Sequence, residues 1–122
     1  MIKLTFCLHR LPHLARDAFQ DYWRNKHAPL VAKNREALRI RRYVQCHALT
    51  TELNDAIRAA RQAPEQYDGI AELWWDNLDG LVAAMSSPDG QEAGLELLED
   101  ERKFIDLPRS PLWINSEFEV FG

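Results

Sequence analysis

The sequence is poor in cysteine and has no long apolar run. Only Cys7 and Cys46 occur among the 122 residues, and no Cys-x-x-Cys pair is present. A disulfide framework is therefore unsupported, and both thiols are expected to be small buried apolar side chains. No apolar stretch approaches the roughly 18 residues that a membrane-spanning helix needs. The first residues alternate like a strand and lack the apolar run of a signal peptide, so we expect a cytoplasmic protein that does not bind membranes.

Positive charge is not in excess either. The chain has 15 Lys and Arg against 19 Asp and Glu, a formal net charge of −4. This balance gives no general attraction to phosphate backbones, so nucleic acid is not an expected partner. The sequence also lacks a Gly-rich phosphate loop, a His-Glu-x-x-His pair and a nucleophile elbow, and it thus shows no strong catalytic signature.

What is present is a regular succession of strand and helix patterns. Period-two alternation predicts strands at 2–9, 42–50 and 113–121, and aromatic and β-branched residues predict a further strand at 69–75. Helical spacing predicts helices from Arg16 to a kink near His27 and Ala28, at 31–38, at 78–85 and from Ser87 to about Lys103. Pro29 is the expected cause of the kink. Residues 51–67 are predicted to form an exposed connection with some helix.

The order of these elements indicates one α+β domain over residues 1–122. The pattern β-α-β-β-α-β is typical of a ferredoxin-like fold with a four-stranded antiparallel sheet. Helices cover only one face of such a sheet, yet several strands here carry apolar or aromatic residues on both faces. A second copy of the same sheet is the simplest cover for the other face, so we expect a homodimer.

His27 is the first candidate for chemistry. It follows Trp23 by four residues and Phe19 by eight, which places it on the inward face of the first helix, at the kinked end. An imidazole at this position is suited to general acid or base catalysis at neutral pH. The alternative is a histidine that caps the helix end and binds a backbone carbonyl.

Several polar side chains fall on the more polar side of alternating strands: His9, Tyr43, Gln45, His47, Glu72 and Trp74. Burial without partners costs about 1–3 kcal/mol each, so these groups are expected to share hydrogen bonds or line a cavity. Glu72 interrupts an apolar run, and burial is expected to raise its pKa so that it exchanges protons with a substrate. The alternative is a Glu72 that pairs with Lys or Arg in a dimer interface.

Two further sets of residues leave alternatives open. Histidine and carboxylate ligands at His9, His47 and Glu72 are compatible with zinc or iron, but no tight spacing supports a site, and none is predicted. The aromatic set is expected to be core or interface, or else the wall of a pocket for a flat ligand. It comprises Tyr22, Trp23, Trp74, Trp75 and Trp113.

Three segments of the chain resemble the EthD family. Residues 19–31 are an aromatic-rich helix that leads into a His-x-Pro-Leu turn, and residues 67–74 and 100–106 agree with later parts of the pattern, as does Tyr43 with its strand. The resemblance implies a dimeric α/β barrel, in which two ferredoxin-like sheets pack face to face. It also implies a ligand cleft between the sheet of each subunit and its own helices.

The resemblance further implies an activity. Related families include polyketide cyclases, muconolactone isomerases, cofactor-free monooxygenases and haem-degrading enzymes. We therefore expect an enzyme without bound cofactor or metal that performs dehydration, isomerisation or cyclisation on a small aromatic or carbonyl compound. The alternatives are a non-catalytic small-molecule-binding accessory protein of an oxidative degradation pathway, and a haem-binding protein.

Roles for individual residues follow from the same resemblance, which singles out seven positions: Tyr22, Trp23, His27, Tyr43, Asp68, Glu72 and Trp74. His27 is the predicted general acid or base, with Glu72 or Tyr43 as its proton partner. The predicted substrate-binding residues are Tyr22, Trp23, His47, Asp68 and Trp74.

Overall fold

A computed structural model describes all 122 residues. Its four strands are β1 (Ile2–Leu8), β2 (Arg42–His47), β3 (Gly69–Trp75) and β4 (Leu112–Ser116). Its α-helices are α1 (Arg16–Tyr22), α2 (Ala28–Lys33), α3 (Arg35–Leu38), α4 (Glu52–Arg61), α5 (Leu78–Ser86) and α6 (Pro88–Glu101). A π-helical turn over Trp23–His27 joins α1 to α2, and a 3₁₀ turn over Leu107–Arg109 precedes β4.

The strands form one antiparallel sheet in the order β2-β3-β1-β4. Only β2 and β3 are neighbours both in sequence and in the sheet. The connections from β1 to β2 and from β3 to β4 are therefore crossovers, and both contain helices. This is the ferredoxin-like arrangement, and the predicted fold class is confirmed. All the helices that cross over lie on one face of the sheet, where the core forms.

The first crossover has an irregularity at the place where the sequence predicts a kink. The backbone N–H of Ala28 donates to the carbonyl of Trp23, five residues earlier, and the helical path continues through the turn into α2. Pro29 is the second residue of α2 and lacks the N–H that would continue the helical hydrogen bonding, and the π turn before it accommodates that loss without ending the helical path. The irregularity is therefore an inserted π turn rather than a break, and it carries both Trp23 and His27.

Three strands end earlier than their alternation predicts, β1 by one residue and β2 and β4 by more. β4 pairs only with β1, and its last residue, Ser116, lies opposite Ile2, where β1 begins. Residues after Ser116 have no strand beside them, so the alternation that continues to Phe121 does not form sheet. β2 ends at His47, and the connection after it contains α4, which Thr51 caps by accepting a hydrogen bond from Leu53.

The core lies between the sheet and the helices in two groups. One group centres on Trp23, and its buried members are Phe6, Leu8, Phe19, Trp23, Ala71, Phe104 and Ile105. The other comprises Val31, Ile40, Trp75 and Leu97. Gly69 lets Trp23 lie directly against the sheet, because a Cβ at this position would be 2.5 Å from the indole ring.

Candidate functional site

The register of the sheet divides the polar strand residues between two faces. Tyr43 lies opposite Leu73 and packs with the core beneath the helices, whereas Glu72 lies opposite Val44 and faces the other way. The alternation of β3 places Trp74 with Glu72. The expectation that Tyr43, His47, Glu72 and Trp74 share one face is therefore wrong, since neighbouring strands align by register and not by polarity.

A cavity of about 190 Å³ lies between the sheet and the helices. Its lining is mostly apolar and aromatic, since fourteen of the seventeen lining residues are hydrophobic. Trp23, Tyr43 and Trp75 give it flat walls. The only carboxylate and the only imidazole in the lining belong to Glu101 and His27, and the lining contains no Lys or Arg. A mostly apolar, concave space with few polar groups is the usual form of a small-molecule site.

His27 is held at this cavity by Asp100. His27 is only 5% exposed, and its Nδ1 lies 2.8 Å from Oδ2 of Asp100. The hydroxyl of Tyr22 donates to the other oxygen of the same carboxylate at 2.6 Å. Because a carboxylate only accepts, the Nδ1 of His27 carries the proton, and the ring presents an unprotonated Nε2 that makes no hydrogen bond within the chain.

The protonation of this group of three suits a base. Burial lowers the pKa of His27 from its ordinary value of 6.5, although Asp100 opposes the shift. Burial alone would raise the pKa of Asp100, but hydrogen bonds from Tyr22 and His27 lower it. Burial, together with the Asp100 carboxylate, raises the pKa of Tyr22 to about 12. At neutral pH the site therefore holds a neutral imidazole on an ionised carboxylate.

Glu101 lines the cavity beside this group. It is the last residue of α6, and its side chain makes neither a hydrogen bond nor an ion pair within the chain. Burial, and then the charge of Asp100, raise its pKa to about 7. The sequence interpretation gave no role to Asp100 or Glu101. Two signals were available: residues 100–106 belong to the segment that resembles the EthD family, and both acids interrupt the apolar stripe that runs through Ala93 and Leu97 of α6 and on to Phe104.

The polar residues of β2 form a hydrogen-bonded row on the helix side. The side-chain N–H groups of Gln45 donate to Oη of Tyr43 at 2.8 Å and to the carbonyl of Trp23 at 2.9 Å. The Oε1 of Gln45 accepts from Nε2 of His47 at 2.8 Å, and the His47 ring stacks on Trp23 with centroids 4.4 Å apart. Tyr43 thus lines the cavity and keeps its own hydroxyl proton free for a further hydrogen bond. His47 does not line the cavity but contacts Gln45 and Trp23.

Glu72 and Trp74 lie on the opposite face of the sheet. The carboxylate of Glu72 accepts from Nζ of Lys3 at 2.7 Å and from Sγ of Cys46 at 3.3 Å. The hydrogen bond from Lys3 lowers the pKa of Glu72, so the expected upward shift is wrong. The guanidinium of Arg42 lies over the ring of Trp74, with its Cζ 4.6 Å from the ring centroid. Cys46 is exposed here, contrary to expectation, whereas Cys7 is buried.

Asp68 also lies outside the cavity. It is 4% exposed and accepts from the backbone N–H of Arg10 at 2.8 Å, from Nη1 of Arg10 and from Nε of Arg16 at 3.2 Å. These bonds join the residue before β3 to the segment between β1 and α1. The structure therefore brings together at the cavity only three of the eight predicted site residues, His27, Trp23 and Tyr43. Tyr22 and His47 lie outside the lining, where Tyr22 binds Asp100 and His47 packs on Trp23.

Other parts of the molecule offer less to a ligand. A larger groove of about 620 Å³ is open and is lined mostly by charged side chains, of which Arg41 and Asp76 form an exposed ion pair. No cluster of three or more His, Cys, Asp or Glu side chains suited to a metal ion occurs. None of the helices has the length and apolar character needed to cross a membrane.

Comparison with known proteins places this geometry in a family. The sequence profile of the EthD domain matches residues 11–108. The chain belongs to the EthD family. The matched segment contains the π turn, β2, β3 and α6, and thus all the ionisable side chains at the cavity.

Solved structures share the fold of this EthD-family chain at low sequence identity. An ethyl tert-butyl ether D (EthD) family protein from Bacillus halodurans is 21% identical, with a TM-score of 0.62, over 97% of this chain and 100% of the other. An EthD-like protein from Ralstonia eutropha is 20% identical, with a TM-score of 0.62, over 93% and 88%. A dimeric ferredoxin-like protein of unknown function from Thermobifida fusca is 14% identical, with a TM-score of 0.58, over 95% and 90%. No curated protein matches the chain.

Proposed function

We propose that this chain is a cytoplasmic, cofactor-independent enzyme that transfers protons on a small aromatic or carbonyl compound bound in the 190 Å³ cavity. The observation that supports it most is the pairing of His27 with Asp100. Asp100 holds the proton on Nδ1, and this leaves the lone pair of Nε2 available in a mostly apolar space. Such an imidazole is neutral at pH 7 and is able to accept a proton as a general base.

Each neighbour of His27 has a role in this proposal. When Nε2 takes a proton, the Asp100 carboxylate stabilises the imidazolium that forms, and Tyr22 keeps that carboxylate oriented. The walls formed by Trp23 and Tyr43 exclude water and align a flat ligand. The hydroxyl of Tyr43 accepts from Gln45 and so retains its own proton for a hydrogen bond to the ligand.

The opposite face of the sheet supports the proposed homodimer. Trp113 is 48% exposed on this face, and the Lys3–Glu72 ion pair lies beside it on the neighbouring strands. An exposed tryptophan within a sheet face is typical of a buried interface. A second copy packed here would leave the cavity of each subunit between its own sheet and helices. The Thermobifida fusca protein of the same fold is described as dimeric.

The replacement His27→Gln tests the proposal. Glutamine approximates the shape of histidine but is not a base, so we expect catalysis to fall by about 10²–10⁴-fold while the fold is retained. The measurement is exchange of carbon-bound hydrogen for deuterium in D₂O, followed by NMR, with 2-tetralone and resorcinol as probes of a ketone and an electron-rich aromatic ring.

Two control variants make the result specific. His13→Gln removes an exposed histidine and is expected to leave the rate unchanged. Gly94→Leu is expected to block the cavity without a clash at the backbone, because a Cβ at Gly94 meets no atom within 4 Å and Gly94 lines the cavity. A His27→Gln protein that exchanges either probe at the wild-type rate would rule out His27 as the base.

A further inference from the structure

The carboxyl group of Glu101 has no hydrogen-bond partner within the chain, unlike those of the buried aspartates. Asp68 and Asp100, the two buried aspartates, each accept at least two hydrogen bonds. The carboxyl group of Glu101 accepts none, although its backbone is fixed at the end of α6 and its side chain lines the cavity. Because an unpaired carboxylate is costly in an apolar space, its surroundings favour the neutral acid, which has one O–H to donate.

The titratable groups around Glu101 explain this preference. His27 comes from the π turn, Tyr43 from β2 and Asp100 from the same helix, and only Asp100 carries a full charge at neutral pH. That charge is negative and disfavours ionisation of Glu101. Lys103 follows α6, and its Nζ lies 3.6 Å from Oδ1 of Asp100. No cation lines the cavity, so an anionic ligand would find no counter-charge there.

The cavity also limits the size of the ligand. Its volume of about 190 Å³ is below the roughly 300–1,000 Å³ of sites for drug-sized molecules. Trp23, Trp75 and Tyr43 present flat surfaces around it. A neutral molecule of one or two rings fits these limits. Its polar atoms would meet the acid of Glu101 and the base of His27.

We propose that Glu101 is the general acid that acts with His27, and that the two residues enolise a small uncharged ketone. This assignment rests on the proposed function of His27. The Nε2 of His27 takes a proton from the carbon next to the carbonyl, and that C–H electron pair becomes the new C=C bond. The carbonyl π electrons take the proton of Glu101, which leaves an enol, an imidazolium and a carboxylate.

The reverse transfers complete the cycle without any other reactant. The enol O–H returns its proton to Glu101, and the imidazolium returns its proton to carbon. Return to the original carbon gives hydrogen exchange with solvent. Return to a conjugated carbon two positions away gives a double-bond isomer. Both outcomes conserve atoms and electrons, and both need the acid form of Glu101 together with the base form of His27.

Exchange of the α-hydrogens of 2-tetralone for deuterium tests this assignment in the full-length protein. Glu101→Gln keeps the shape and an N–H donor but has no proton to transfer, so we expect the rate to fall by about 10²-fold or more. Glu101→Asp is expected to recover part of the rate. The wild-type rate should decline above pH about 7, as Glu101 ionises, and that decline should be absent in Glu101→Gln.

The outcomes separate Glu101 from His27. If His27→Gln is inactive while Glu101→Gln exchanges 2-tetralone at the wild-type rate, the assignment of Glu101 is overturned and the base role of His27 stands. If His27→Gln is fully active, the proposed function itself fails. If the wild type exchanges ring hydrogens of resorcinol but not those of 2-tetralone, His27 remains a base and the ketone assignment is overturned.

Discussion

Glu101→Gln is expected to stabilise the fold by about 2 kcal/mol at pH 8. In the unfolded chain this carboxyl ionises with the ordinary pKa of 4.5, whereas burial raises its pKa to about 7 in the folded chain. Each pKa unit between the folded and unfolded chain corresponds to about 1.4 kcal/mol of stability, and partial access of the carboxyl group to solvent reduces the total. The folded wild type therefore loses stability as pH rises from 4.5 to 7, and the loss persists above pH 7. Glutamine is neutral throughout and avoids it.

Urea denaturation of both proteins at pH 4.5 and pH 8 measures this difference. The stabilisation should be small at pH 4.5, because Glu101 is mostly protonated in the folded chain and only partly ionised in the unfolded one. Glu99→Gln is the matched control, since Glu99 is exposed on the same helix, and its effect is expected to stay within about 0.5 kcal/mol at either pH. A Glu101→Gln protein with equal gains at both pH values would contradict the raised pKa of Glu101.

Asp68→Ala is expected to destabilise the fold by about 3–5 kcal/mol. The substitution leaves the side chains of Arg10 and Arg16 and the backbone N–H of Arg10 without their acceptor. Loss of one member of a buried ion pair has this magnitude because the remaining groups stay partly desolvated. The same bonds tie the segment after β1 and the start of α1 to the residue before β3, so the loss should weaken one end of the two central strands.

Thermal or urea unfolding measures this loss, with Asp76→Ala as control. Asp76 pairs with Arg41 at the surface, and removal of an exposed pair is expected to leave the free energy of unfolding nearly unchanged. Burial alone would raise the pKa of Asp68, but the hydrogen bonds from Arg10 and Arg16 lower it below 3.8. The stabilisation is therefore present above pH 3.8 and is lost as pH falls through the folded pKa. Equal effects of the two substitutions would contradict the structural role of Asp68.

The fold could be predicted from the sequence because its signals are local. Alternation in 2–9, the aromatic and β-branched residues of 69–75, and the Ser87-Pro88 restart of α6 each specify an element without knowledge of the rest. The order β-α-β-β-α-β then indicated the ferredoxin-like topology. The end of β4 was not predictable in this way, since Ser116 is the last residue with a strand partner only because β1 begins at Ile2.

The site was less predictable because it depends on the register between strands. Alternation within a strand shows that Glu72 differs from its neighbours, but only pairing shows that Tyr43 lies opposite Leu73 and that Glu72 faces away. The same logic applied to a helix would have identified Asp100 and Glu101, two acids within the apolar stripe of α6. The carboxylate expected at Glu72 is supplied instead by Glu101.

Several features around this cavity reduce the stability of the fold. Gly94 lies within α6 with open space where a side chain would be, although alanine would favour the helix by about 1 kcal/mol. Glu101 is left without a donor, and one nitrogen of His47 is buried without a partner. Local departures of this kind are typical of functional sites, where the space and the unpaired group serve a ligand.

Titration of the Glu101 carboxyl by ¹³C NMR in the wild-type protein tests most directly whether the cavity holds an acid together with a base. Assignment follows from the signal that disappears in Glu101→Gln. The structure predicts a midpoint near pH 7, with the neighbouring His27 ring neutral at that pH and its proton on Nδ1. A Glu101 carboxyl that titrates near its ordinary value of 4.5 would be an anion at neutral pH, and it would contradict an acid–base pair at this site.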